Sequence, residues 1–391
     1  MKYACRHLEV AALLTLPSPT IQHTLAAIYL LCAVKFTYIL LGLILASCAT
    51  TGKSLSQKDL NAPASAVKPK NIVFMVGDGM GLAQLSLTQS AADYVLAIFE
   101  WFKVIGFSET ASADDYITDS AAGATAFGTG TRTNNGMISV ATDSSALKTI
   151  AEEASEQGKE TGLLATCSIT HATPGCFYAH QPSRKMNREI AGDMYASGID
   201  VFMGGGWPFF DSSKLVASGF AVKHGLDAFV SATEPKIAGF YSHSEHPPKM
   251  SEGRGNFLAP ASVKLLDLLN RNKSGFFAMI EGSQIDWGGH ANDAPYLIEE
   301  TKDFDKAVRA VLEWAQKDGQ TLVIVTADHE TGGLSMPVPA KPGTLPQARF
   351  STGDHSGIHV PVFAWGPGAE QFMGVYKNTD IYLKMKALLN P

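Results

Sequence analysis

The sequence predicts an α/β protein, with a mostly parallel central sheet covered by helices on both faces. Short apolar runs alternate along the chain with helical stretches. The runs lack the polar alternation of a half-exposed strand, so they belong to strands buried on both faces. They end in glycine or polar residues, the usual sign of a turn at a sheet edge.

In chain order, Asn71-Ile72-Val73-Phe74-Met75-Val76 is the first predicted strand, closed by Gly77-Asp78-Gly79. Residues 120–127 and 145–157 read as helices, and Thr161 to Thr166 as a strand. Asp200 to Met203 is a further strand leading into Gly204-Gly205-Gly206. Residues 260–271 form a helix by apolar period, with Pro260 near its start. Phe276 to Ile280 is a strand, 294–317 a long amphipathic helix, Thr321 to Val325 a strand, and Val360 to Trp365 the last strand. Residues 207–258 are less periodic and are expected to be an excursion or lid on a single domain spanning 71–391. The stretch 334–350 is also irregular.

The first 48 residues differ from the rest. Lys35 precedes an apolar run of signal-peptide length that ends in Leu45-Ala46-Ser47-Cys48, a pattern similar to a bacterial lipobox. This predicts a leader over 1–48 and a lipid anchor at Cys48, hence an envelope protein, periplasmic or extracellular. An ordinary cleaved signal or a single membrane anchor is the alternative. A start at Val34 gives a compact leader and leaves residues 1–33 untranslated. Residues 49–70, rich in Ser, Ala, Thr, Lys and Pro, read as a solvated tether.

The chain carries a formal charge of −6 over 391 residues. It has no long run of Lys and Arg, so nucleic acid is not an expected partner. Of five cysteines, Cys167 and Cys176 remain in the mature body. They either pair in an oxidising compartment or serve as small buried residues.

Ligands in open α/β sheets bind beyond the carboxyl ends of the strands. Asp78 follows the first strand there, and His171 and Thr173 follow the 161–166 strand. Glu281, Asp286 and His290 follow Phe276–Ile280, Asp328 and His329 follow Thr321–Val325, and His355 precedes the last strand. Carboxylates, imidazoles and a hydroxyl without cysteine suit zinc, magnesium or manganese. Asp286 and His290 are four apart, on one face of a helical turn. In Thr118-Asp119-Ser120-Ala121-Ala122, Asp119 can cap a helix and place Ser120 in its first turn. There the free amides and the dipole favour an anion such as phosphate. Arg184 carries a planar fork suited to two phosphate oxygens.

These residues carry a resemblance to the alkaline phosphatase family, from about Asn71 to about Gly368. Its motifs are Val76-Gly77-Asp78-Gly79-Met80-Gly81, Thr118-Asp119-Ser120-Ala121-Ala122, Ile169-Thr170-His171-Ala172-Thr173-Pro174 and Ile280-Glu281-Gly282. They continue through Ile285-Asp286 with His290, Thr326-Ala327-Asp328-His329-Glu330-Thr331-Gly332-Gly333 and Gly353-Asp354-His355-Ser356-Gly357. The resemblance implies a three-layer sandwich, hydrolysis of small phosphomonoesters, two Zn2+ and one Mg2+ per subunit, and a homodimer. It implies that Asp286, His290 and His355 bind a first zinc, and Asp78, Asp328 and His329 a second. Asp78, Thr173 and Glu281 would hold the third metal. Ser120 would form a phosphoserine and Arg184 would clamp the phosphoryl group. Two adjacent metals can stabilise both the entering and the leaving oxygen of an in-line displacement. A well-known family pattern has Asp where this chain has His171, and Lys where it has Trp287. The pair resembles the variant of compact bacterial members and leaves open the occupant of the third site.

Two other readings compete. Related two-zinc enzymes cleave phosphodiesters or nucleotides, and relatives act on sulfate esters, but Ser120, Arg184 and the Thr173–Glu281 site favour monoesters. A phosphate- or zinc-binding lipoprotein would not need the nucleophile Ser120.

Overall fold

A computed structural model describes residues 68–338, 341 and 344–389. The leader, the Cys48 anchor, the proposed start at Val34 and nearly all of the tether lie outside the described residues.

The buried apolar runs pair into one ten-stranded sheet. Its strands are β1 (Asn71–Gly77), β2 (Val104–Glu109), β3 (Glu160–Ser168), β4 (Val201–Gly205) and β5 (Ala221–His224). They continue with β6 (Ile237–Phe240), β7 (Phe276–Gly282), β8 (Thr321–Thr326), β13 (Val360–Trp365) and β14 (Gly374–Lys377). Four two-residue strands lie outside it: β9 (Glu330–Thr331) pairs with β12 (His355–Ser356), and β10 (Leu334–Ser335) with β11 (Arg349–Phe350). The large sheet runs β14-β2-β13-β8-β1-β7-β3-β4-β6-β5. All its pairings are parallel except those of β13, which is antiparallel to β2 and β8.

Strand β1 shows why both faces are covered. Its side chains alternate by the two-residue period of a strand. Ile72, Phe74 and Val76 enter one core with Phe127, Phe177 and Met385. Val73 and Met75 enter the other with Leu265, Val308 and Leu312. Helices Ser120–Thr129, Ile150–Glu156 and Asn378–Leu389 therefore cover the first face. Helices Leu82–Ala91, Leu258–Leu269 and Ala294–Asp318 cover the second.

The expected elements form, with local corrections. The helix expected over 145–157 starts only at Ile150, where Thr149 and Glu152 make a reciprocal capping box. Ahead of it, Ser144 takes a positive φ of 68° in a turn held by Asp143 and Ser145. The region 207–258 is not wholly an excursion: β5 and β6 extend the main sheet. At four residues each, they are too short to show a period. Cys167 and Cys176 are both free and buried, so they do not pair.

The rest of the excursion is pinned from inside. The Arg254 guanidinium reaches Glu300 and, at 3.0 Å, Asp303 on the Ala294–Asp318 helix, and all three side chains are buried. Breaking a buried ion pair from one side leaves an uncompensated charge, which costs about 3–5 kcal/mol. Arg254→Met should therefore lower unfolding stability by about 3–5 kcal/mol in urea titration, with Glu300→Gln/Asp303→Asn in the same background recovering part of the loss.

Candidate active site and metal centre

The central strands β8, β1, β7 and β3 are neighbours and point the same way. Their carboxyl ends therefore place Asp328, Asp78, Glu281 and the Cys167–Thr173 segment side by side. Because β13 runs antiparallel to β8, its entry lies at that same edge. The β9–β12 bridge pairs His355 with Thr331 and fixes the entering loop over the site.

Two sets of ligands gather there. The ligand atoms of Asp286, His290 and His355 lie within 4.8 Å of one another, as do those of Asp78, Asp286 and His329. Asp286 thus belongs to both groups. Its Oδ2 is 3.3 Å from His290 Nε2, and its Oδ1 is 3.6 Å from His355 Nε2. His329 Nε2 stands 3.3 Å from Asp328 Oδ2 and 3.6 Å from Asp78 Oδ1. The rings of His329 and His355 stack at 3.5 Å.

The outer nitrogens are already committed. His290 Nδ1 is 2.8 Å from the Gly353 carbonyl, and His355 Nδ1 is 2.8 Å from the Thr118 carbonyl. These contacts orient both Nε2 atoms inward, as metal-binding imidazoles require. The Gly79 amide donates to Asp328 Oδ1 at 3.1 Å. Gly79 has φ 70°, and a Cβ there would lie 2.8 Å from Asp286 Cα, so only glycine lets this turn approach.

Ser120 enters as expected. Asp119 caps the Ser120–Thr129 helix by accepting from the Ala122 amide, and Ser120 Oγ lies 3.3 Å from His329 Nε2. Gly123 lets this helix sit against Asp328, whose Cβ would be only 3.2 Å from an added Cβ. Arg184 is gripped by Asp119 at 2.9 Å, with its other terminal nitrogen 3.4 Å from His171 Nε2. Trp287 packs edge-on against His171 and His246, at 6.1 and 5.1 Å between ring centres.

Sequence reasoning missed three contributors. Thr331 donates to Asp286 Oδ1 at 2.5 Å and lies 3.2 Å from His329 Nδ1. Its place two residues after His329 was the available signal. Asp119 aims Arg184 as well as capping its helix. Cys167 donates to Glu281 Oε2 at 3.4 Å, a contact that no local motif announces.

The centre fits cations. Both oxygens of Asp78, Asp328 Oδ2, Glu281 Oε1 and Thr173 Oγ1 are buried without a hydrogen-bond partner. Oxygens of this kind, with imidazoles, are the donors that zinc and magnesium take. In the metal-free protein the charges conflict. Burial, then Asp328, Asp286 and Glu281, push Asp78 well above the usual carboxylate range. Burial and Asp328 raise Glu281 to about 7. Burial and Asp286 raise Asp328 to about 6. Burial also opposes charge on Asp286, but His290, His329 and His355 hold its carboxyl below the usual range. The Asp286 hydrogen bond in turn lifts His290 to about 9. Burial and His355 keep His329 well below an ordinary imidazole. Burial and Arg184 bring His171 down to about 3.

The sequence model of the family described as Alkaline phosphatase matches residues 69–219 and 256–347. The chain is 32% identical over 400 residues to alkaline phosphatase 4 of Bacillus subtilis (strain 168), covering 80% of this chain and 87% of that one. It is similar to the solved structure of alkaline phosphatase from the Antarctic bacterium TAB5, with 44% identity, a TM-score of 0.78, and 82% and 98% of the two chains covered. A histidine-to-aspartate variant of that enzyme, with magnesium in a site called M3, matches at 42% identity and a TM-score of 0.78, over 83% and 98% of the chains.

Raised carboxylates give the stripped protein a defined pH response. Glu281, Asp328 and Asp78 bind protons more tightly folded than unfolded, where carboxyls titrate near about 4. These three carboxyls should cost stability as pH rises from about 4 to about 8, because the folded state must release those protons, while His171 and His329, held neutral when folded, offset part of the fall up to about pH 6.5. Added zinc and magnesium should raise the melting midpoint and flatten this dependence. A midpoint that climbs with pH in the chelator-treated protein contradicts this charge balance.

Proposed function

The chain belongs to the alkaline phosphatase family, metal-dependent hydrolases of phosphate monoesters, and from that premise we propose that it works through a phosphoserine on Ser120. The observation that carries this reading is the Ser120 hydroxyl, 3.3 Å from His329 Nε2, at the first turn of a capped helix and beside the buried carboxylates.

Asp286, His290 and His355 hold one zinc, and Asp78, Asp328 and His329 a second. Asp78, Thr173 and Glu281 hold a third cation, taken to be magnesium. The unpartnered buried oxygens of Asp78, Asp328, Glu281 and Thr173 support these assignments. Cations bound there would neutralise the carboxylates and stabilise the entering and leaving oxygens. Ser120 Oγ attacks phosphorus in line, its bond to phosphorus forming as the ester P–O bond breaks and the alcohol leaves. Water then cleaves the phosphoserine, releasing phosphate and restoring the hydroxyl. Arg184, braced by Asp119, binds two phosphoryl oxygens with its fork. The Ser120–Thr129 helix turns its positive end toward the phosphoryl group. Phosphoryl transfer asks mainly for such positioning and charge neutralisation.

The leader sequence supports an envelope location with the mature chain anchored through Cys48. Exposed Ile105 and Phe107 on β2 and Val375 on neighbouring β14 offer an apolar edge that supports a homodimer. Light scattering of the purified protein decides the latter; a monomer at micromolar concentration overturns it.

p-Nitrophenyl phosphate should be hydrolysed faster than bis-p-nitrophenyl phosphate, and a chelator should abolish turnover. Ser120→Ala should cost on the order of 10³-fold or more in kcat. Arg184→Ala should cost about 10²-fold in kcat/KM. Preference for the diester moves the chain to the phosphodiesterase relatives, and full activity in Ser120→Ala removes the proposed nucleophile.

A further inference from the structure

The third cation site contains a group that the mechanism does not use. Ala165 on β3 is the register partner of Glu281 on β7, and Cys167 lies two residues further on. It packs into the same core as Ala165, and its side chain is fully buried. Its Sγ lies 3.4 Å from Glu281 Oε2 and 3.2 Å from the Ser168 carbonyl. The other carboxylate oxygen, Glu281 Oε1, has no partner. Neither do the fully buried hydroxyls of Thr173 and Ser283. Nor do the oxygens of Asp78. The Ser283 amide is tied to Thr166 Oγ1 at 2.8 Å, which fixes the turn behind the site. A buried carboxylate thus has a sulfur donor on one oxygen and no hydrogen-bond partner on the other.

We propose that Cys167 is a positioning residue of the third cation site: its thiol donates to Glu281 Oε2 and so turns Oε1 toward the cation. The proposal rests on the third-site reading given above. A hydrogen bond to an ionised acceptor is stronger than a neutral one, and partners that orient a ligand govern metal affinity by about 10–100-fold. The thiol restricts the rotation of Glu281 at no cost in extra charge, in a pocket already crowded with carboxylates. Cys176 makes no such contact: its Sγ meets Thr125 and the Ala121 carbonyl on the Ser120–Thr129 helix. It therefore serves as a control for the loss of an equally buried thiol.

The test is magnesium titration of the zinc-loaded, full-length protein by calorimetry. Cys167→Ala should raise the magnesium dissociation constant about tenfold or more. Cys167→Ser, whose hydroxyl can still donate, should restore it to within about twofold of the parent, and Cys176→Ala should leave it unchanged. An unchanged constant in Cys167→Ala, or equal losses in the Ala and Ser variants, overturns the proposal, the second outcome reducing Cys167 to packing. Should Cys167→Ala fail to fold, the infrared S–H band decides. Taken as the difference between the parent and Cys167→Ser, it should shift to higher frequency when magnesium draws charge from Glu281. A band that ignores magnesium overturns the proposal. Glu281→Gln separates the two levels of the argument. Weakened magnesium binding there, with none in Cys167→Ala, rejects only the role of the thiol, whereas unweakened binding rejects the site itself.

Discussion

Four carboxylates, Asp78, Glu281, Asp286 and Asp328, are buried at one sheet edge with 0–4% exposure, and their mutual repulsion is the constraint around which the molecule is arranged. Two unit charges about 4 Å apart repel by about 4 kcal/mol at an effective dielectric of 20. Several such pairs would consume the roughly 5–15 kcal/mol by which a typical domain is stable. The histidines answer part of this charge, and Asp286 with His290 is the clearest instance. The rest is left to protonation or to bound cations. The same charge makes the site selective for what it must hold, since an uncharged ligand would leave the repulsion standing.

The fold supplies the rigidity that so strained a centre needs. Strands β8, β1, β7 and β3 are buried on both faces, and two apolar cores clamp them. Short turns at their ends leave each carboxylate little freedom. Gly79 permits a backbone approach that any side chain would block, and Gly123 leaves room for Asp328 where a Cβ would be tight. The antiparallel β13 matters for a topological reason: a strand returning against β8 begins at the site edge, which lets His355 join Asp286 and His290 from the far side of β8 in the sequence. Asp119 links Ser120 with Arg184, capping the Ser120–Thr129 helix and gripping the guanidinium at once.

Much of this was legible in the sequence, and what was not has physical causes. Long apolar runs such as Phe276–Ile280 and Thr321–Val325 announced the central strands, and the polar residues just beyond them announced the site. The outer strands β5 and β6 escaped because four residues carry too little pattern. Strand β2 escaped because Gly106 and Ser108 interrupt its apolar run. The order of strands, and with it the sharing of Asp286 between two ligand groups, depends on tertiary pairing that no local pattern encodes. The roles of Thr331, marked only by its nearness to His329, and of Cys167 were missed for a related reason. Their importance lies in whom they touch, and a buried hydroxyl or thiol reads the same in sequence whether it fills a gap or orients a ligand.

Anomalous diffraction from crystals grown with zinc tests the central claim most directly. The account predicts two strong peaks at the zinc edge, one among Asp286, His290 and His355 and one among Asp78, Asp328 and His329 near Ser120. Crystals that contain zinc elsewhere but show no peak within this carboxylate cluster would contradict it.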